Sequence, residues 1–170
     1  MYEVAAQNAA RIWRRNMNRM KIDKIITSII EQEIQLEGLI LLSKEEYEES
    51  KKRIGLIDNW WWLRSPGDLT SSACGINIFG SLDYFYVDFT YGSVRPALIL
   101  NLDSSLKIGD KFRFYNHNWT VISEQSALCD EAFCKMQFRN DWMAEDGNMY
   151  EVSDIKKYID GEWAKMNLEE

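Results

Sequence analysis

One histidine, two prolines and three cysteines are all that the 170 residues hold of those types. Each scarcity removes a kind of chemistry. With His117 as the single imidazole, no two-histidine zinc motif and no histidine-rich metal site exists within one chain. Three cysteines are an odd number and supply no disulfide framework. Cys74 stands alone, and Cys129 and Cys134 read as buried structural thiols. No Gly-x-Gly occurs, which removes the usual phosphate-cradling loops. No apolar run approaches the roughly 18 residues needed to span a bilayer. The first 20 residues place their arginines after their apolar residues, unlike a secretory signal. The expectation is a reduced, cytoplasmic protein with no metal, no cofactor and no catalytic constellation.

Negative charge is in surplus, at −7. It is unevenly spread. Residues 1–30 carry +4, from basic side chains that include Arg11 and Arg15, and leave −11 for the rest. An acidic body repels a polyanion, so duplex DNA is not an expected ligand. The basic head offers Arg11 and Arg15 to an acidic partner, or simply forms a solvated helix face.

Hydrophobic residues make up 46% and aromatics 13%, which suits a globular domain with a real core. In residues 1–24, Ala5, Ala9, Ile12, Trp13, Met17 and Met20 recur at helical steps and predict a basic N-terminal helix. For 25–36, periodicity does not decide between helix and strand. Ser43 followed by Glu45 and Glu46 marks the start of a helix that stops before Gly55. From residue 58 to 102 the texture becomes short strands and turns, as in an antiparallel meander.

Three consecutive tryptophans, Trp60, Trp61 and Trp62, lie in this region. On a strand, Trp60 and Trp62 share a face and Trp61 takes the other. In "LDYFYVDF" the same parity makes Phe85, Val87 and Phe89 the core set and turns Tyr84 and Tyr86 outward. Further on, "GDKFRFYNHNWTVIS" predicts a hairpin with "YNHN" as its turn, and "ALCDEAF" another strand. Ser153 is placed to cap a final helix, whose Ile155, Tyr158, Ile159 and Trp163 fall at helical spacing.

"LILLSKEEY", "WWWLRSPG" and "YGSVRPALILNL" together carry a resemblance. They resemble the signature half of a family of bacterial and phage domains of unknown function, over about residues 25–101. That family is similar to the C-type-lectin-like fold, the scaffold of formylglycine-generating enzymes and of variable receptor-binding proteins. The resemblance implies an α+β, C-type-lectin-like domain with short antiparallel strands and flanking helices. Its complementary half, residues 106–170, follows the signature half instead of preceding it. This order implies a circularly permuted single domain over 25–170, or half-domains exchanged between chains. A monomer or a domain-swapped dimer is therefore expected, with Trp60, Trp61, Trp62, Arg64 and Arg95 as structural signature residues. Both arginines are expected to tie loops together through backbone carbonyls and acids such as Asp58 or Asp68.

Function follows as an expectation of the same kind. A calcium-dependent sugar loop of the Glu-Pro-Asn type is absent, and the cysteines lie in the wrong half for the oxidase pair. Tyr, Ser, Gly and Asp on a rigid sheet have the chemistry of a paratope. In the lectin-like receptor-binding proteins the corresponding face carries the variable residues. Tyr84, Tyr86, Asp88, Thr90 and Tyr91 are thus the candidate partner contacts. The resulting expectation is a non-enzymatic binding module of phage or mobile-element origin, with a protein partner, or a glycan. The alternative is an anti-CRISPR-like inhibitor of a host nuclease, acting through its acidic surface.

Overall fold

The computed structural model describes residues 38–100 and 106–163. Arg11, Arg15, the predicted N-terminal helix and the undecided stretch 25–36 lie outside the described residues, as do residues 101–105 between the signature half and its complement.

The described residues are α+β, mostly strands in two five-stranded sheets with two short helices. The first sheet contains β1 (Leu39–Ile40), β6 (Ala97–Ile99), β9 (Ser126–Cys129), β8 (His117–Ser123) and β7 (Lys111–Phe114), in that spatial order. The second contains β10 (Cys134–Lys135), β5 (Ser93–Val94), β2 (Trp61–Pro66), β3 (Ser72–Ile76) and β4 (Leu82–Tyr86). Each sheet mixes strands from before residue 100 with strands from after residue 106. The two halves of the sequence therefore interleave: β6 pairs with β9 through Leu98↔Ala127, and β10 pairs with β5 through Cys134↔Val94.

Local sequence explains the element ends. Helix α1 (Lys44–Ser50) starts at Ser43, whose hydroxyl accepts from the Glu46 N–H while the Glu46 carboxylate accepts from the Ser43 N–H. This reciprocal capping box satisfies two donors that a bare helix end would leave unpaired. Helix α2 (Asp154–Lys157) is capped by Ser153, which accepts from the Lys156 N–H. It continues as π-helical turns over Tyr158–Trp163, and its Ile155 and Ile159 are buried. The β7–β8 turn is shorter than the sequence suggests. Tyr115 and Asn116 alone take positive φ, 43° and 59°, and Phe114 pairs directly with His117. Two left-handed residues in a two-residue loop match the twist of the strands they join. His117 and Asn118 consequently belong to β8 and not to the turn.

Two apolar clusters fill the interior. The larger gathers Trp62, Val87, Leu98, Trp119, Phe138 and Ile155, among others. The smaller sits beneath α1 and holds Tyr47, Trp61, Leu63, Cys74, Ile122 and Leu128. Among the described residues no helix is long and apolar enough to cross a membrane.

Candidate functional site

The tryptophan strand β2 lies at the centre of its sheet. Trp61 faces the smaller cluster, edge-on to Tyr47 at 5.7 Å, while Trp60 and Trp62 face the larger one. Trp60 is half-buried and stacks on Phe85 at 3.8 Å; Trp62 meets both Trp60 and Phe85 edge-to-face. Trp62 is fully buried, and its Nε1–H donates to the Met136 carbonyl at 2.9 Å. That bond links the central strand of one half to the chain of the other and satisfies a donor that burial would otherwise penalise. Glycine makes the stack possible. A Cβ at Gly75 would lie 2.9 Å from the Phe85 ring, and one at Gly92 only 2.2 Å from Trp62 Nε1.

Strand β4 is the outer edge of its sheet among the described residues. The register Ala73↔Phe85 and Gly75↔Asp83, with Val87 N–H donating to the Ser71 carbonyl, turns the backbone groups of Leu82, Tyr84 and Tyr86 outward. Part of that edge is already used. The Tyr84 N–H donates to the Asp83 carboxylate, and the Tyr86 carbonyl accepts from the Phe89 N–H. Such blocking discourages strand addition and leaves side chains as the contact surface.

Those side chains form a row of rings. Tyr84 and Tyr86 are exposed, as their parity predicts, and Tyr91 is the most open of the described tyrosines at 65%. Phe89 is exposed instead of joining the core, because β4 ends at Tyr86 and the chain turns there. It bridges the row, 5.7 Å from Tyr86 and 6.5 Å from Tyr91. Asp88 and Thr90 are exposed between them. The loop carrying the row is pinned beneath. Val87 is fully buried and its carbonyl accepts from the Arg139 N–H; Asn59 Nδ2 donates to the Tyr91 carbonyl and to Ser93 Oγ.

The two signature arginines hold backbone. Arg64 meets neither Asp58 nor Asp68. It grips Glu46 through both terminal nitrogens, the second at 2.9 Å, and donates to the Leu41 carbonyl. Burial raises the Glu46 carboxyl, but its bonds to Arg64 and to the Ser43 N–H outweigh that and hold it below the usual range. Arg95 is 2% exposed; Nε donates to the Cys129 carbonyl at 2.7 Å and Nη1 to the Gly55 carbonyl at 2.8 Å. Its guanidinium also lies 5.2 Å from the Trp61 ring centre. Burial brings its pKa down to about 10, so it stays charged at neutral pH.

A second cluster lies on the β8–β9 hairpin. His117, Cys129 and Glu131 place one nitrogen, one sulfur and one oxygen within 4.8 Å of each other. Counting histidines in the sequence gave no reason to expect it. The signal lies in the hairpin register, which follows once Tyr115 and Asn116 alone make the turn. Cys129 is fully buried, and burial raises its thiol to about 12. His117 Nδ1 is 3.0 Å from the Glu131 carboxylate, and Phe133 lies against the imidazole.

Separately, a groove of about 700 Å³ runs between α1 and the first sheet, with Leu42, Ile99 and Ile122 in its lining and Glu46, Glu49 and Arg53 around it. It shares no residue with the ring row or with the His117 cluster.

Neither a curated protein nor a solved structure matches the chain. Residues 27–102 match the family described as Domain of unknown function (DUF6273), a stretch that includes both the tryptophan strand and the Val-Arg-Pro-Ala-Leu segment across β5 and β6 and leaves β7–β10 outside it.

Proposed function

We propose that this chain is a non-enzymatic binding module that holds a protein partner against the ring row of Tyr84, Tyr86, Phe89 and Tyr91. The observation that carries the reading is the anchoring of that row. Exposed apolar rings on a pinned loop give contact area at little entropic cost, since few bonds must freeze on binding. Asp83 and Asp88 lie among the rings and are exposed. The matching partner surface therefore presents an apolar recess bordered by basic side chains. An acidic chain also associates faster with such a surface.

The test compares capture from lysate by the unaltered protein and by Tyr86→Ala/Tyr91→Ala, with Lys111→Ala as a control on the far sheet edge. A protein retained by the first and third but lost by the second supports the reading. Binding that survives loss of both tyrosines refutes it, and retention on a glycan array with no protein captured moves the ligand class to sugars. If the captured partner is a nucleic-acid-processing nuclease whose inhibition depends on Asp83 and Asp88, the inhibitor alternative takes its place.

The fold reading belongs with this proposal. Interleaved sheets, with β10 beside β5 and β9 beside β6, support a C-type-lectin-like plan whose halves are transposed. Leu39 and Ile159, near the two ends of the described chain, share one cluster. A permutant that joins the two ends of this chain through a linker and opens it between residues 100 and 106 should fold cooperatively. A permutant that remains unfolded counts against the transposition.

A further inference from the structure

Antiparallel pairing places residues two apart on one strand face, and opposite partners on the same face. In the β8–β9 hairpin, Trp119 pairs with Cys129, and the Asp130 N–H donates to the Asn118 carbonyl one step further on. The next opposed positions are His117 and Glu131. Register alone thus sets His117, Trp119, Cys129 and Glu131 on one face at one end of the hairpin. The donor atoms of His117, Cys129 and Glu131 converge within 4.8 Å, and His117 Nδ1 lies 3.0 Å from the Glu131 carboxylate.

From this convergence we infer that His117, Cys129 and Glu131 form a binding site for a borderline-soft divalent transition ion, zinc in the first instance. Ligand chemistry selects the ion. Nitrogen and sulfur donors suit zinc, whereas calcium and magnesium demand shells made of oxygen. Around tetrahedral zinc, ligand atoms sit about 3.3–3.8 Å apart, so the set is within a small side-chain adjustment of that geometry. Charge also balances. One thiolate and one carboxylate neutralise a divalent cation, and the neutral imidazole adds none. As the metal–sulfur bond forms, the thiol proton passes to solvent. Three protein ligands leave a fourth position for water.

The surroundings fit an ion held from one side. Cys129 forms the buried floor, packed in the larger cluster with Trp119, while Glu131 is exposed and His117 half-buried at the mouth. Phe133 and Trp119 supply apolar walls, with ring centroids 6.1 Å apart. The site lies outside the stretch 27–102 and uses none of the exposed tyrosines, so it stands apart from the recognition reading.

The experiment titrates cobalt(II) into the full-length, chelator-treated protein and follows the absorption spectrum. A sulfur-to-cobalt charge-transfer band saturating at one equivalent, and bleached by zinc, is the expected result. His117→Gln and Glu131→Gln, both altered at the mouth, should each weaken apparent cobalt affinity by roughly tenfold or more while the fold persists by circular dichroism. Cys134→Ser should keep the band, and Cys129→Ser should lose it. If Cys129→Ser does not fold, the two mouth variants decide. A folded protein without the band, a band lost in Cys134→Ser, or unchanged affinity in both mouth variants overturns the site.

Discussion

Replacing Gly92 by alanine tests whether the tryptophan stack closes the two halves on each other. The added Cβ would lie 2.2 Å from Trp62 Nε1 and 2.5 Å from both Trp60 Cη2 and Trp62 Cε2. Trp62 has nowhere to retreat, being fully buried against Phe138 at 5.5 Å. Overpacking of a tight core costs about 1–3 kcal/mol. Moving the indole also breaks its bond to the Met136 carbonyl, and an orphaned buried partner costs about 1–3 kcal/mol more. The sum, about 2–6 kcal/mol, is a large part of the roughly 5–15 kcal/mol that holds a domain folded. Urea unfolding followed by tryptophan fluorescence reads it directly. With a slope of about 2 kcal/mol per molar, the midpoint should fall by about 1–3 M. Gly55→Ala is the control: nothing lies within 4 Å of its Cβ, so its midpoint should stay near wild type. A Gly92→Ala protein as stable as Gly55→Ala, with near-ultraviolet dichroism unchanged, would refute the clamp.

Two further outcomes follow from buried polar groups. Arg95→Lys should cost about 2–4 kcal/mol in thermal or urea unfolding, because one ammonium cannot serve the Cys129 and Gly55 carbonyls that the guanidinium fork spans; a loss below about 0.5 kcal/mol would deny it that role. Burial raises the Tyr150 hydroxyl above its ordinary value of 10.0, and the group accepts from the Leu41 N–H. Its stabilising contribution is therefore complete below pH 10 and is lost as pH climbs through the folded-state pKa, since the unfolded chain releases that proton first. Tyr150→Phe should flatten the decline in stability above pH 10; an unaltered slope would mean that other groups carry it.

What the sequence made legible, and what it hid, divides along one line. Whatever depended on strand parity or on a cap within four residues could be read. The alternation of Trp60, Trp61 and Trp62 between two clusters follows from period two alone, and so do the outward Tyr84 and Tyr86. Ser43 and Ser153 cap because a short hydroxyl side chain reaches its own helix end. Whatever depended on where a strand stops, or on which strand it meets, could not be read. Continued alternation would put Phe89 in the core, but the strand ends at Tyr86 and leaves the ring exposed. Arg64 found Glu46, a residue of the capping box 18 positions earlier, because α1 lies beside β2 in space and not through any spacing in the chain. The His117 cluster is the sharpest case. Its residues look unrelated until a two-residue turn fixes the register, and a turn two residues longer would have removed His117 from the strand altogether. Composition excludes chemistry only when donors are counted by kind; one histidine suffices where a pleated hairpin sets a thiol and a carboxylate beside it.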